Sequence, residues 1–259
     1  MALQQSQRHE EIRSLLQKAG EMTVEEFAER LGVSRETIRR DLTRLEAIGE
    51  VRKYHGGARL LATPAKINEE KEGPFTLRMA QNVEAKQKIA HAASRLLRPD
   101  DSLFIDTGST TIAMAEALAT NSSLIIITNS PKIASVASAN LNHKIFLIGG
   151  AYAAEAGESV GPLALEQISK FRAQHAILTV GAINSSCIMD FDVQEAEIAK
   201  AMIERADNVI VLADHSKFER SAVFEVVPLL KIHTIVTDAQ PSMAMARALE
   251  TAGVNLIVA

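Results

Sequence analysis

The sequence holds a single cysteine, no apolar run of membrane-spanning length and none of the short motifs that mark a nucleotide-hydrolysing or redox enzyme. Cys187 stands alone among 259 residues and cannot form an internal disulfide. The opening MALQQSQRHEEIRSLLQKAG is polar and charged where a secretory signal needs an apolar centre, so a reducing cytoplasm is the expected setting. The richest apolar stretch, SSLIIITNSP (122–131), has the length of a strand, far short of the ~20 residues that cross a bilayer. No membrane partner is therefore expected. Gly149-Gly150 and the GSTT run (108–111) lack the spacing of a Walker loop or a dinucleotide fingerprint, and no cofactor is expected. The histidines, His9, His55, His91, His143, His175, His215 and His233, lie too far apart for metal-ligand spacing, and no metal is expected. There is also no internal repeat, low-complexity tract or heptad pattern.

What is present fits two globular domains. The chain is longer than the ~100–200 residues of one core, and 47% hydrophobic with 23% charged residues is ordinary for a folded chain. Apolar Ile12, Leu15, Leu16 and Ala19 recur at helical spacing before Gly20. Thr23 with Glu26 three residues later is a capping box, opening a short helix with Val24, Phe27, Ala28 and Leu31 on one face and Gly32 as its stop. Ser34 is placed to cap a third helix whose Ile38, Leu42 and Leu45 face inward. Its other face carries Arg35, Thr37, Arg39, Arg40 and Arg44. In EVRKYHGGARL (50–60) the pair Gly56-Gly57 separates two short extended runs, a hairpin signal. Three short helices followed by a basic hairpin is the layout of a winged helix-turn-helix over residues 1–60.

The formal net charge is -4, which argues against a nucleic-acid binder only if averaged over the whole chain. Arg35, Arg39, Arg40, Arg44, Arg52, Lys53 and Arg59 outnumber Glu36, Asp41, Glu46 and Glu50 in one short segment. Phosphate contacts act over a short Debye length, so a local excess suffices. Charge alone fits a solvated helix equally well; the concentration of basic residues on the two elements that should touch DNA favours binding. The expected contacts are Ser34, Arg35, Thr37, Arg39, Arg40 and Arg44 on the helix and Arg52, Lys53 and His55 on the wing, with double-stranded DNA as partner.

Residues 61–75 are rich in charge, Pro and Gly and read as a linker. From 76 to 259 strands alternate with helices. A helix is expected from about Thr76 to Leu97, and strands at 102–106, 124–128, 144–150, 175–180, 208–214, 233–238 and 254–259. Most are continuous apolar runs, as in a parallel sheet buried on both faces, so the fold class is α/β with an open, mostly parallel sheet. In such sheets ligands bind beyond the carboxyl ends of the strands. Asp106-Thr107-Gly108-Ser109-Thr110-Thr111, Thr128-Asn129-Ser130, Gly149-Gly150, Gly181-Ala182, Asp214-His215-Ser216-Lys217 and Thr237-Asp238 all fall there. Each alone is better explained as a tight turn. A hydroxyl-rich helix start together with Lys217 suits a phosphate. Lys217, Asp214, Asp106, Asp192 and Glu195 also leave open a sugar-phosphate isomerase carrying a DNA-binding appendage.

The segments VSRETIRRDLTRLEAIGEVRKYHGGA (33–58), LFIDTGSTT (103–111), TNS (128–130), IGG (148–150), EAEIAKAMIERA (195–206) and LADHSKFERSA (212–222) resemble the DeoR-type bacterial repressors, essentially over the whole chain. The resemblance implies a homo-oligomeric repressor, dimer or tetramer, and a sensor fold similar to ribose-5-phosphate isomerase. It also implies release from an operator by a phosphorylated polyol or sugar. QRHEEI (7–12), ISKFR (168–172), MDFDVQEAEIAKAMIE (189–204) and DHSKFERSA (214–222) point within the family to glycerol 3-phosphate. The effector contacts expected are Asp106, Gly108, Ser109, Thr110, Thr111, Thr128, Asn129, Gly149, Gly150, Asp192, Glu195 and Lys217. GAINSSCIMDFD (181–192) lacks the paired-aspartate loop of the isomerase, so the resemblance implies its ligand site without its chemistry.

Overall fold

The computed structural model describes residues 8–9, 11–12, 15–16, 21–47, 51–54, 56–60 and 73–259, without the side chains of Glu21, Ala47, Arg52, Arg59 and Leu60. His55, the side chain of Arg52 and the reading of 61–72 as a linker lie outside the described residues. The chain divides into two units, Met1–Asn68 and Glu69–Ala259.

In the N-terminal unit, strand β1 (Glu21–Thr23) runs into a helix at Val24–Leu31. The Thr23 side chain accepts from the Glu26 amide while Glu26 Oε2 accepts from the Thr23 amide at 2.7 Å, so the capping box forms in full. Gly32 ends this helix at φ 63°, a left-handed conformation that glycine adopts without steric cost. The next helix, Arg35–Ala47, starts with Ser34 Oγ accepting from the Thr37 amide at 3.2 Å. Strands β2 (Val51–Tyr54) and β3 (Gly57–Leu60) form the hairpin, and β1 adds to β3 as a third antiparallel strand. Ile12, Leu16, Val24, Phe27, Ile38, Leu42, Leu45 and Val51 meet in one small core.

Asp41 lies within that core, only 2% exposed, and binds the guanidinium of Arg8 and, at 3.0 Å, His9 Nε2. Burial pushes its carboxyl up, but the bonds from Arg8 and His9 outweigh that and hold it below its usual range. The contribution is present at neutral pH and is lost as acid protonates Asp41. The pair thus fastens the helical residues near position 8 to the Arg35–Ala47 helix.

The C-terminal unit is a three-layer α/β/α fold. Seven parallel strands lie in the order β15-β14-β12-β9-β4-β5-β6. These are β4 (Ser102–Ile105), β5 (Ile125–Thr128), β6 (Lys144–Leu147), β9 (Ala173–Leu178), β12 (Ala206–Leu212), β14 (Thr234–Thr237) and β15 (Asn255–Val258). Alternate residues of each strand face opposite layers: Leu103 and Ile105 pack with helices Val83–Ser94, Ser109–Leu118 and Pro131–Ala137, whereas Phe104 packs with helices Pro162–Ser169, Val193–Glu204 and Met243–Thr251. The strand order reverses between β4 and β9. In open sheets that reversal leaves a crevice at the carboxyl ends of the two strands.

Three features depart from the sequence-based expectation. The single helix expected over 76–97 is two, Phe75–Ala80 and Val83–Ser94, because Asn82 adopts φ 52° and donates through Nδ2 to Asp214 Oδ1 at 3.1 Å. An antiparallel pair, β7 (Ala151–Ala153) with β8 (Glu158–Val160), follows the sheet's edge strand. A small antiparallel sheet joins β10 (Ala182–Ile183) and β11 (Cys187–Asp190), which follow β9, to β13 (Phe224–Pro228), which follows β12.

The Asp41 contacts give the first prediction. Asp41→Ala leaves the Arg8 charge without its buried counter-ion and should destabilise the N-terminal unit by about 3 kcal/mol. Amide-exchange protection at Ile38, Leu42 and Leu45 should fall while that of the seven-stranded sheet is unchanged; equal protection in wild type and mutant would disprove the role.

Candidate functional site

Two surfaces carry chemistry. On the N-terminal unit, Ser34, Arg35, Arg39, Arg40 and Arg44 are exposed and Thr37 is half-buried, so the Arg35–Ala47 helix turns its basic side away from its core. Arg35 pairs with Glu25 at 3.3 Å and Arg40 with Glu36 at 3.5 Å, both at the exposed surface. Such pairs are weak in water and exchange readily for a phosphate. Lys53 Nζ, on β2, reaches back to Thr43 Oγ1 at 3.0 Å and Glu46 at 3.1 Å, and its amide donates to Glu46 Oε1. Lys53 therefore fixes the hairpin against the helix. Between them lies a cleft with Arg39, Thr43, Lys53, Tyr54, Gly56 and Gly57 among its walls.

On the C-terminal unit, the seam between β4 and β9 is closed by Asp106, whose two oxygens accept from the Thr179 amide at 3.1 and 3.0 Å. Gly108 is needed there because a Cβ would strike the Thr179 side chain. The Ser109–Leu118 helix starts directly after it; Thr110 and Thr111 are buried, and the Thr111 hydroxyl donates to the Gly108 carbonyl at 3.0 Å. Thr128 Oγ1 accepts from the Ser130 amide, and Asn129 Nδ2 donates to Glu158 Oε2 at 2.7 Å and to the Ser159 carbonyl at 3.1 Å. Gly149 exchanges two hydrogen bonds with the Gln167 amide group. Asp192 caps the Val193–Glu204 helix, accepting from the Gln194 and Glu195 amides.

Beside the seam opens a cleft of about 470 Å³. Asp192 and Glu195 line it as expected; Glu155, Glu158, Asp190 and Arg78 line it too and were not anticipated. Asp106, Gly108, Ser109, Thr110, Thr111, Thr128, Asn129, Gly149, Gly150 and Lys217 are not among its walls. Lys217 lies in the short turn His215–Lys217, where its charge acts on Asp214. Glu158 and Asp190 had no readable signal, since each enters from a short antiparallel strand whose pairing, not its composition, aims the side chain.

The carboxylates are crowded: Asp106, Glu158 and Asp190 are buried, while Glu155 and Asp192 are exposed. Burial, above all, pushes Asp106 well above the usual carboxylate range; the Thr179 amide opposes this, and the charges of Glu158, Asp190 and Glu195 add to it. Burial likewise pushes Glu158 up to about 7, with Asn129 and Thr107 acting the other way and Asp190 and Asp192 reinforcing the rise. Glu158 is 2% exposed, and its Oε1 finds no hydrogen-bond partner among the described residues. Such a group is suited to bind the hydroxyls of a ligand, accepting when ionised and donating when protonated.

The sign of this shift is testable. Between its unfolded value near 4.5 and about 7, Glu158 holds a proton in the folded protein that the unfolded chain has lost. Its contribution to stability is full below that window, falls as pH rises through it, and is level above. Glu158→Gln should therefore be more stable than wild type by on the order of 3 kcal/mol at about pH 8 and by only a few tenths at about pH 4.5. Denaturant unfolding at both pH values checks this, and an equal difference at the two would contradict it.

Known protein families match both units of the chain. Residues 8–63 match the DeoR-like helix-turn-helix domain and residues 81–239 match the DeoR C terminal sensor domain. The chain is 31% identical over 252 residues to the HTH-type transcriptional repressor CsqR of Escherichia coli, covering 97% of this chain and 94% of that protein. It is 33% identical over 248 residues to the glycerol-3-phosphate regulon repressor of Escherichia coli, covering 95% and 96%. Among solved structures it is similar to ribose 5-phosphate isomerase A from Methanocaldococcus jannaschii, with a TM-score of 0.40, 15% identity, and 53% and 55% of the two chains covered. With both domains matched in order and the relatives matched nearly end to end, the chain belongs to the DeoR family and is a DNA-binding transcription regulator with a sensor domain, not an enzyme.

Proposed function

We propose that the protein represses a carbon-catabolism operon and leaves its operator when the sensor unit binds a phosphorylated polyol or sugar, glycerol 3-phosphate foremost. It works as a homo-oligomer, dimer or tetramer. Ser34, Arg35, Thr37, Arg39, Arg40 and Arg44 meet the major groove, with Arg52, Lys53 and His55 on the flanking backbone. In the sensor unit the effector's phosphate lies on the helix start Ser109-Thr110-Thr111 near Lys217, and Asp192 and Glu195 take its hydroxyls. Asp106, Gly108, Thr128, Asn129, Gly149 and Gly150 shape the site. The observation that carries the reading is the acid-lined cleft formed by the Ala151–Val160 hairpin, the end of β11 and the start of the Val193–Glu204 helix, on a chain whose other unit is a helix-turn-helix. The printed name of the glycerol-3-phosphate regulon repressor supports the choice of effector.

Binding is checked with a duplex selected by the wild-type chain from a random pool. Arg39→Ala and Arg40→Ala should each weaken it by roughly 1–3 kcal/mol with the fold intact. Gel shifts unchanged in both variants would remove these arginines from the interface.

Release is checked by adding glycerol 3-phosphate, which must favour the DNA-free state and so bind more weakly to the DNA-bound chain. Lys217→Ala should hold the selected duplex at effector concentrations that release wild type. Calorimetry giving the same affinity with and without the duplex would refute the switch.

A further inference from the structure

The carboxylates in the cleft wall are of two kinds. Glu155 and Asp192 are exposed, and Asp192 Oδ1 already accepts from the amides of Gln194 and Glu195. A ligand hydroxyl that bonds to either replaces a water and gains little. Glu158 is different. It is 2% exposed, and its Oε1 is buried with no hydrogen-bond partner among the described residues. A buried polar atom left unpaired is costly, and a ligand group that supplies the missing bond recovers that cost on binding.

The other oxygen of Glu158 is already bonded. Oε2 accepts from Asn129 Nδ2 at 2.7 Å, and the same nitrogen donates to the Ser159 carbonyl at 3.1 Å. The Ser159 amide donates in return to the Asn129 carbonyl at 2.8 Å, so the strand that carries Glu158 is pinned to the residue that follows β5. Asn129 is fully buried, and its Oδ1 accepts a long bond, 3.4 Å, from Thr107 Oγ1. Thr107 stands two residues before Ser109, where the proposed phosphate seat begins. Glu158 is therefore the last member of a chain, Thr107–Asn129–Glu158, that starts beside that seat and ends in the cleft wall. A short molecule with a phosphate at one end and hydroxyls at the other presents its groups in the same order.

We infer that Glu158 is the specificity-determining residue of the sensor: its Oε1 takes one hydroxyl of a polyol phosphate, and the site rejects the counterpart that lacks this hydroxyl. Asn129, expected from the sequence as a ligand contact, is the residue that positions Glu158. The inference rests on the sensor reading proposed above and adds to it the group that chooses among phosphorylated ligands. Discrimination of this kind is strong, because the deoxy counterpart leaves the buried oxygen unpaired, whereas an apolar pocket senses one added or missing group only weakly.

The test is calorimetry on the full chain with glycerol 3-phosphate, 2-hydroxypropyl phosphate and 3-hydroxypropyl phosphate, the last two each lacking one of its hydroxyls. In wild type, one of the two deoxy molecules should bind at least about thirtyfold more weakly than glycerol 3-phosphate. Glu158→Met, which keeps the length but not the carboxyl, should bind that deoxy molecule within about threefold of wild type and lose the preference for glycerol 3-phosphate. Glu158→Gln keeps an acceptor for Asn129 and turns an amide donor toward the ligand; at about pH 8 it should lower the preference at least about threefold. Wild-type affinities within about threefold of one another for all three ligands would overturn the inference and leave the sensor reading standing. A preference unchanged in either variant, or affinity for all three ligands lost alike, would also overturn it. A wild-type chain that binds none of the three would remove the sensor reading and this inference with it.

Discussion

The amide of Thr179 donates to both oxygens of Asp106, and that contact extends the β4–β9 pairing past the carboxyl ends of the two strands, at the seam where the sheet changes direction. Strands β4 to β6 spread to one side of it and β9 to β15 to the other, so nothing covalent closes the gap at their carboxyl ends. A buried carboxyl on a backbone amide lies there, and burial, with the charges of Glu158, Asp190 and Glu195, raises it well above the usual carboxylate range. Every further carboxylate brought near raises the others. Glu158 and Asp190 come near because β8 and β11 fold over the strand ends, and Asn129 holds Glu158 in place. The site is thus electrostatically tense before any ligand arrives, and a ligand rich in hydroxyl donors relieves part of that tension.

The two units solve opposite problems with similar means. The N-terminal unit has a small core and must keep a basic helix surface free, so it relies on local devices: the Thr23–Glu26 capping box, Gly32, Ser34 and the Asp41 contacts. The sensor unit has a large core on both faces of its sheet and can tolerate buried acids that would be ruinous in a smaller domain. Ion pairs follow the same division. Those of Arg35 and Arg40 lie in water and are expendable, while Arg78–Glu195 lies at the wall of the cleft with both side chains mostly withdrawn from water.

Elements fixed by local chemistry were legible in the sequence, and those fixed by long-range pairing were not. The capping box, the Gly32 stop and the Ser34 cap each depend on residues within a few positions of one another, and each formed as read. The seven parallel strands announced themselves as apolar runs because both faces are buried. The strands β7, β8, β10, β11 and β13 are short and lie outside the main sheet, so their composition carries no run and no sustained alternation. That is why Glu158 and Asp190 escaped notice although Asp192 and Glu195, on a helix start with an acidic cap, did not. The break at Asn82 was hidden for a related reason: its cause is Asp214, more than a hundred residues away. The helix start at Ser109 was readable as a loop after a strand, but its buried threonines face inward and serve the loop itself.

An acidic cleft appears a poor receptacle for a phosphorylated molecule until the two ends of such a molecule are considered separately. Its hydroxyls are donors and suit carboxylates such as those of this cleft, whereas its phosphate needs amides and cations. Effector and DNA can oppose each other only by favouring different arrangements of one element.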